Sequence, residues 1–190
     1  LKSKVAQWIN FIVISVFFYR LVAVSQDIAG QLKKNALIPA RKIVHIYNGI
    51  VMPAKRPEKP VEDGCVAIGS AGRLFPVKDY ALMISIAREV CSARAHARFY
   101  LAGDGPERAM LQEMIRADEL EETFSLLGNV VNMEEFYESL DIYINTSVHE
   151  GIPMSVLEAM SHGKPVVAPA VGGLREIISH DIDGYLCPER

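Results

Sequence analysis

The sequence predicts an α/β protein built on a doubly wound parallel sheet, and three observations support this prediction. Short runs rich in β-forming residues alternate with segments of helical period along most of the chain, a pattern typical of parallel α/β proteins. Several runs are apolar almost throughout, as expected for strands that helices cover on both faces. Half of the 190 residues are hydrophobic and 23% are charged, which provides enough apolar material for a core.

Seven β-rich runs form the predicted strands. The clearest are Ile142-Tyr143-Ile144 and Val166-Val167-Ala168, which contain no polar residue that would face solvent. In chain order the predicted strands are residues 21–25, 42–47, 65–71, 98–102, 124–127, 141–146 and 165–168.

Five segments have the period of an amphipathic helix. In the first, residues 78–91, apolar side chains recur at steps of three and four residues and form one stripe. The other predicted helices are residues 106–117, 132–140, 155–162 and 172–179.

One break in composition divides the chain. Residues 52–64 contain three prolines and six charged residues and offer almost nothing to bury, so we interpret them as a linker. Residues 1–51 then form one unit, and residues 65–190 form a nearly complete Rossmann-like domain.

Composition excludes several classes of function. The net charge of −3 argues against a broad nucleic-acid interface, which requires a basic face. The three cysteines are widely spaced and form no CxxC pair, which excludes a cysteine zinc site and a disulfide framework. This usage indicates a reducing compartment, and we expect a cytoplasmic protein.

Residues 5–19 carry no charge and contain a run of apolar side chains. The run is shorter than the roughly 20 residues that span a bilayer. We therefore expect a helix that would be buried against a neighbour missing from this chain, with an interfacial membrane helix as the alternative. Because the chain begins at Leu1, we also expect it to be a piece of a longer protein.

The loops after the predicted strands carry the residues that best suit ligand chemistry, because ligands of doubly wound sheets bind beyond the carboxyl ends of the strands. Arg73 and Lys78 follow the third run, Gly103-Asp104-Gly105 follows the fourth, and Glu150 and Glu158 follow the sixth. Glycines let a ligand approach the backbone, and helix N-termini suit anions. Cations suit a diphosphate, and carboxylates accept hydrogen bonds from hydroxyls. The loops predict a pocket for a nucleotide diphosphate that bears a sugar.

Other known motifs do not fit. No GxGxxG follows a strand, and Gly163-Lys164 is followed by proline rather than by the rest of a phosphate-binding loop. Asp181-Ile182-Asp183 has the D-x-D form of some metal sites, but it lies in a polar turn after a helix. We assign no metal ligand, and among the histidines only His149 lies in the predicted pocket, as a lining or a packing residue.

The segment HEGIPMSVLEAM at 149–160, followed by GKPVVA at 163–168, resembles the Glu-x7-Glu signature of family 4 retaining glycosyltransferases. Other landmarks of that family occur in the same order, and the resemblance extends from about residue 20 to 188. They are Val22–Ser25, Ile46-Tyr47-Asn48-Gly49-Ile50, Gly72-Arg73 with Lys78, and Gly103-Asp104-Gly105-Pro106.

The resemblance implies a GT-B arrangement, in which two Rossmann-like domains face each other across a cleft. Residues 1–51 would be the tail end of the N-terminal acceptor domain, and residues 65–190 would be the nucleotide-sugar donor-binding domain.

The same resemblance implies roles for individual residues. Arg73 and Lys78 would bind the diphosphate and Glu150 the hydroxyls of the transferred sugar, and these three are the predicted catalytic residues. Glu158 would accept hydrogen bonds from the ribose. The other predicted substrate-binding residues are Gly72, Gly103, Gly128, Asn129, Val130, His149, Gly151, Ile152, Pro153, Met154 and Ser155.

No metal or cofactor is implied beyond the donor, for which we favour a UDP-sugar over a GDP-sugar. The predicted function is that of a metal-independent, retaining hexosyltransferase fragment of polysaccharide or glycoconjugate biosynthesis. Its acceptor would be a glycan or a lipid-linked molecule held by the missing N-terminal domain. Peripheral association with the inner face of the membrane is the alternative to a purely cytoplasmic location. We expect the fragment alone to bind the donor without transferring sugar. A sugar-nucleotide epimerase of the same fold and a catalytically silent nucleotide-sugar-binding module are the alternatives.

Overall fold

A computed structural model describes residues 13, 16–34, 38–53, 64–93 and 96–188. The chain divides into two compact units, Leu1–Gly49 and Ile50–Arg190. Most of the apolar segment 5–19 and most of the predicted linker lie outside the described residues. Within the described part of the chain, no helix combines the length and the apolar character that crossing a membrane requires.

The smaller unit contains a parallel pair of strands joined through a helix. Strand β1 (Leu21–Ala23) pairs with β2 (Ile43–His45), and helix α1 (Gln26–Lys33) lies between them in sequence. The buried Ser25 caps α1, because its hydroxyl accepts a hydrogen bond from the Ile28 amide at 3.1 Å. Both strands were predicted, whereas α1 was not, since its sequence QDIAGQLK has a weak apolar stripe interrupted by glycine.

The larger unit contains a six-stranded parallel sheet in the order β5-β4-β3-β6-β7-β8. This order places β3 beside both β4 and β6, so that the chain leaves the centre of the sheet in two directions. The strands are β3 (Val66–Ala71), β4 (Ala97–Ala102), β5 (Phe124–Gly128), β6 (Ile142–Ile144), β7 (Val166–Pro169) and β8 (Gly184–Cys187).

Among the described residues, five helices cover the two faces of this sheet: α2 (Tyr80–Ser92), α3 (Arg108–Ala117), α4 (Met133–Ser139), α5 (Met154–Ser161) and α6 (Leu174–Ile177). Alternate residues of the strands join two separate buried clusters, with Phe99 and Leu101 in one cluster and Ala102 in the other. Helices α2 and α3 contribute to the first cluster and α4, α5 and α6 to the second. Side chains of one strand alternate between faces, so the sheet is covered on both sides.

The predicted fold class is therefore confirmed, and all seven predicted strands are present. Strand β8 was not predicted, because its short sequence GYLC follows a polar turn and lacks the long apolar run of the central strands. Helix α6 is shorter than predicted, since Gly172 has a φ of 48° and lies in the turn that precedes the helix.

Candidate functional site

The carboxyl ends of the central strands open onto a cleft of about 450 Å³. The cleft lies at the ends of β3 and β6, where the direction in which successive strands are added to the sheet reverses. Ligands of doubly wound sheets bind at this position. Its lining combines the loops after β3, β4 and β5 with the start of α5. The lining residues are Ala71, Gly72, Arg73, Lys78, Ala102, Gly103, Asp104, Asn129, Val130, Met133, Tyr137, Pro153, Met154, Ser155 and Glu158.

Gly103 brings three of these loops together at the floor of the cleft. Its amide donates a hydrogen bond to the Gly128 carbonyl at 2.7 Å. Its φ is 134°, and a Cβ placed there would lie 1.9 Å from the Gly72 carbonyl oxygen. Only glycine fits such a contact, so the loops after β3, β4 and β5 depend on this residue for their close approach.

Arg73 and Lys78 lie on the loop after β3, as the sequence predicted. Arg73 is exposed, with its guanidinium carbon 5.2 Å from the centre of the Phe75 ring. Lys78 ends a single 3-10 turn, Pro76–Lys78, and its carbonyl accepts a hydrogen bond from the Thr146 hydroxyl at 2.9 Å. This bond fixes the Lys78 backbone against the loop after β6.

Glu150 forms an ion pair with Lys78. Lys78 Nζ is 2.5 Å from Glu150 Oε1, and the same oxygen accepts a hydrogen bond from Ser147 Oγ at 2.6 Å. The two side chains of the pair are 21% and 12% exposed, so the contact is partly shielded from water. The residue predicted to bind the phosphates, Lys78, and the residue predicted to bind the sugar, Glu150, are therefore paired with each other in this structure.

The turn after β7 holds the backbone of Glu150 in place. The Gly173 amide donates a hydrogen bond to the Glu150 carbonyl at 3.2 Å. Gly172 has a positive φ, and a Cβ there would lie 2.0 Å from that same carbonyl oxygen. The acidic loop is thus in direct backbone contact with a glycine turn from the neighbouring strand.

Glu158 lies on α5, and its carboxylate is hydrogen-bonded to α4, which packs in the same buried cluster as α5. Tyr137 of α4 donates its hydroxyl to Glu158 Oε2 at 2.6 Å. Burial, followed by the influence of Tyr143 and Glu158, raises the pKa of Tyr137 far above its usual range. The phenol therefore remains protonated and acts as a donor at all ordinary pH values.

The N-terminus of α5 reaches the cleft through Pro153, Met154 and Ser155. Pro153 is the residue before the helix, and it provides no side-chain cap. Because the amides of a first turn carry partial positive charge, this terminus can receive an anion.

Most of the predicted site residues meet at this cleft, and a few lie elsewhere. Gly72, Arg73, Lys78, Gly103, Asn129, Val130, Pro153, Met154, Ser155 and Glu158 line it directly. Gly128 contacts Gly103 behind the lining, and Glu150 reaches the cleft through Lys78. Ile152 is buried in the protein, and the Gly151 carbonyl faces Gly173.

His149 lines a neighbouring pocket of about 370 Å³ rather than the main cleft. This second pocket lies between the loops after β6 and β7, and it also contains Ser147 and Gly172. Ser147 of this pocket and Lys78 of the main cleft both contact Glu150 Oε1, so one carboxylate connects residues of the two pockets.

Asp181 and Asp183 lie far from this edge of the sheet, in the turn before β8. The Asp183 carboxylate accepts a hydrogen bond from the Ser179 amide at 2.8 Å, and Asp181 lies 3.4 Å from His180. Both contacts stabilise the turn. Across the described ranges, no cluster of three His, Cys, Asp or Glu side chains has the geometry of a metal site.

Sequence reasoning missed Tyr137 and Met133, which line the cleft from α4. Both residues belong to a helix that was predicted correctly, and no local signal distinguishes them from ordinary core residues. Their place in the site depends on how α4 packs beside α5.

Comparison with known proteins identifies the fold and the family of this chain. A structure of Anabaena HepE in complex with UDP and glucose has the same fold, with a TM-score of 0.84 at 22% identity, covering 97% of this chain and 53% of that one. The GPI3 subunit of phosphatidylinositol N-acetylglucosaminyltransferase from Saccharomyces cerevisiae is 31% identical over 150 residues, covering 74% of this chain and 33% of the relative. The 2-deoxystreptamine N-acetyl-D-glucosaminyltransferase of Streptomyces fradiae is 31% identical over 151 residues, covering 74% of this chain and 36% of the relative.

The chain therefore spans about a third of the length of these two curated relatives. The family model described as Glycosyl transferases group 1 matches residues 65–190, which include the whole cleft and both glutamates. On this match, the chain belongs to the group 1 glycosyltransferases.

Proposed function

We propose that this chain forms the donor-binding part of a retaining glycosyltransferase that takes a hexosyl unit from a nucleotide-diphosphate sugar. The observation that carries the proposal is the cleft itself. Arg73, Lys78 and the N-terminus of α5 supply positive charge on its lining, and Glu158 supplies a carboxylate there. Positive groups suit a diphosphate, and a carboxylate suits ribose hydroxyls.

The chemistry follows from what each group can do. Cleavage of the bond between the sugar and the diphosphate places negative charge on the leaving group. Arg73, Lys78 and the helix terminus would stabilise that charge, and such prearranged electrostatic stabilisation often contributes more to catalysis than any other effect. Since these groups can neutralise the diphosphate themselves, we propose that no metal is required.

Glu150 would have two partners in turn. In this structure its carboxylate is paired with Lys78. When a donor binds, Lys78 would contact the diphosphate and Glu150 would accept hydrogen bonds from hydroxyls of the transferred sugar. After the exchange Lys78 would be paired with the diphosphate, and Glu150 would still accept hydrogen bonds, from Ser147 and from the sugar hydroxyls.

The acceptor would be a glycan or a lipid-linked molecule, positioned with the help of parts of the protein beyond these 190 residues. The two relatives named above carry N-acetylglucosaminyltransferase activity in their names, which supports a hexosyl donor. HepE was solved with UDP, which supports UDP over GDP as the nucleotide. We place the protein in the cytoplasm, with the inner membrane face as the site of action if the acceptor is a lipid.

A thermal-shift panel tests this proposal on the chain itself. UDP, UDP-N-acetylglucosamine and UDP-glucose are each expected to raise the melting temperature, GDP-mannose to raise it less, and uridine to leave it nearly unchanged. If no nucleotide diphosphate raises the melting temperature, the donor-site assignment is wrong.

A turnover assay tests the transfer step. The isolated chain is expected to release no sugar to candidate acceptors, because orientation of two reactants supplies about 7–11 kcal/mol of the barrier and we place most of the acceptor site outside these residues. Transfer by the isolated chain at the rate of the full-length protein would place the acceptor site within these residues and contradict the proposed division of labour.

A further inference from the structure

Tyr137 lines the cleft and contacts Glu158, the residue predicted to bind the ribose. None of the sequence motifs indicated this contact. The Tyr137 side chain is 1% exposed, yet it borders the cleft from below. Its hydroxyl lies 2.6 Å from Glu158 Oε2. Two other rings lie near the Tyr137 ring, with the Tyr143 ring centre at 6.1 Å and the His162 ring centre at 5.4 Å.

The direction of this hydrogen bond is fixed. A carboxylate can only accept, and the buried phenol remains protonated, so Tyr137 donates and Glu158 accepts. A bond from a buried donor to a charged acceptor is of the stronger kind. Glu158 Oε2 is therefore anchored, and the freedom of the carboxylate to rotate is reduced before any ligand arrives.

An anchored carboxylate is well suited to a vicinal diol. Its second oxygen and the remaining lone pair of the first can accept two hydroxyls that project side by side, as the 2′- and 3′-hydroxyls of ribose do. A carboxylate without such an anchor would have to give up side-chain rotamer freedom when the diol binds. The anchor thus favours a ligand with both hydroxyls over a ligand with one.

We propose that Tyr137 is a positioning residue that holds the Glu158 carboxylate ready for the ribose diol and makes the cleft select ribonucleotides over 2′-deoxyribonucleotides. This inference rests on the proposed function, since it takes the cleft to bind a nucleoside diphosphate. It assigns to α4 a part in substrate selection that the loop motifs do not reveal.

A plain packing role for Tyr137 makes a different prediction. If the residue only fills space, removal of its hydroxyl would weaken UDP and 2′-deoxy-UDP equally, or neither. Tyr143→Phe provides a matched control, because Tyr143 is also fully buried but its hydroxyl contacts the Ala71 backbone instead of Glu158.

Calorimetric titration of the chain with UDP and with 2′-deoxy-UDP tests the inference. The wild-type chain is expected to prefer UDP by about tenfold, the scale of one hydrogen bond to a charged group. Tyr137→Phe is expected to weaken UDP about fivefold with little effect on 2′-deoxy-UDP, so that the preference nearly disappears. Tyr143→Phe is expected to keep the preference, even if its melting temperature falls.

A double-mutant cycle measures whether the effect of Tyr137→Phe on UDP affinity depends on Glu158. A residue that only fills space would show no such dependence. In a Glu158→Leu background no side-chain acceptor remains for the diol or for Tyr137, so adding Tyr137→Phe should change UDP affinity very little. An unchanged ratio of UDP to 2′-deoxy-UDP affinity in Tyr137→Phe overturns the inference while leaving the donor site intact. Failure of the wild-type chain to bind UDP at all overturns both.

Discussion

Replacing Glu150 with glutamine is expected to strengthen UDP binding, even though Glu150 is one of the predicted catalytic residues. Lys78 Nζ lies 2.5 Å from Glu150 Oε1, so a diphosphate must compete with that carboxylate for the ammonium group. Glutamine keeps the shape of the side chain and can still accept the hydrogen bond from Ser147. It removes only the charge that holds Lys78.

The size of the effect follows from the shielding of the pair. Exposed ion pairs contribute about 0–1 kcal/mol, and hydrogen bonds to charged groups about 1.5–3 kcal/mol. With side chains 21% and 12% exposed, this pair lies between the two classes. We take about 1.5 kcal/mol as the cost of separating it, which corresponds to roughly a tenfold gain in UDP affinity for Glu150→Gln.

Calorimetric titration with UDP, at low and at high salt, measures this gain. Lys78→Met, which removes the other half of the pair, should lower UDP affinity, so the two variants shift binding in opposite directions. Uridine, which has no phosphate, serves as the control ligand and should respond to neither change. If Glu150→Gln binds UDP no more tightly than the wild-type chain, Lys78 does not have to leave Glu150, and the proposed exchange of partners is wrong.

Three further predictions concern other parts of the site. Arg73→Ala should weaken UDP by about tenfold through the loss of one charge-assisted contact while leaving uridine unaffected; equal loss for both ligands in calorimetry would show that Arg73 does not contact the phosphates. UDP-sugar affinity should survive excess EDTA in the same assay, and a loss that manganese restores would reassign a metal role. Gly103→Ala should lower the free energy of unfolding by more than about 2 kcal/mol, because its Cβ would meet the Gly72 carbonyl; denaturant unfolding measures this, with Gly163→Ala, where a Cβ meets nothing within 4 Å, as a matched control at positive φ.

The sequence predicted the sheet well because its central strands carry their own signal. Runs such as Ile142-Tyr143-Ile144 are apolar on both faces, so burial alone identifies them. The loops were predictable for a related reason, since Gly72, Gly103 and Gly128 stand where backbones meet and no other residue fits at Gly103. Both features leave a mark in the residue types themselves, as apolar runs and as glycines at strand ends.

What the sequence did not predict depends on packing between distant segments. The Lys78–Glu150 pair joins residues 72 positions apart, and the Tyr137–Glu158 bond joins two helices. Each bond depends on a rotamer that only the folded neighbours select. The position of His149 was not predictable from its place in the motif for the same reason. Its neighbour Glu150 contacts the main cleft through Lys78, whereas the His149 side chain lines the second pocket.

The contact between Gly172–Gly173 and the Glu150 backbone restricts how this site can change during evolution. Since a side chain at position 172 would collide with the Glu150 carbonyl, the acidic loop and the glycine turn must vary together or not at all. If the cleft binds the proposed donor, new donor preferences would therefore arise through side chains on its lining, such as Met154, rather than through a reshaped loop. The backbone of these two loops would thus stay constant among related proteins, and differences in ligand preference would come from the side chains that line the cleft.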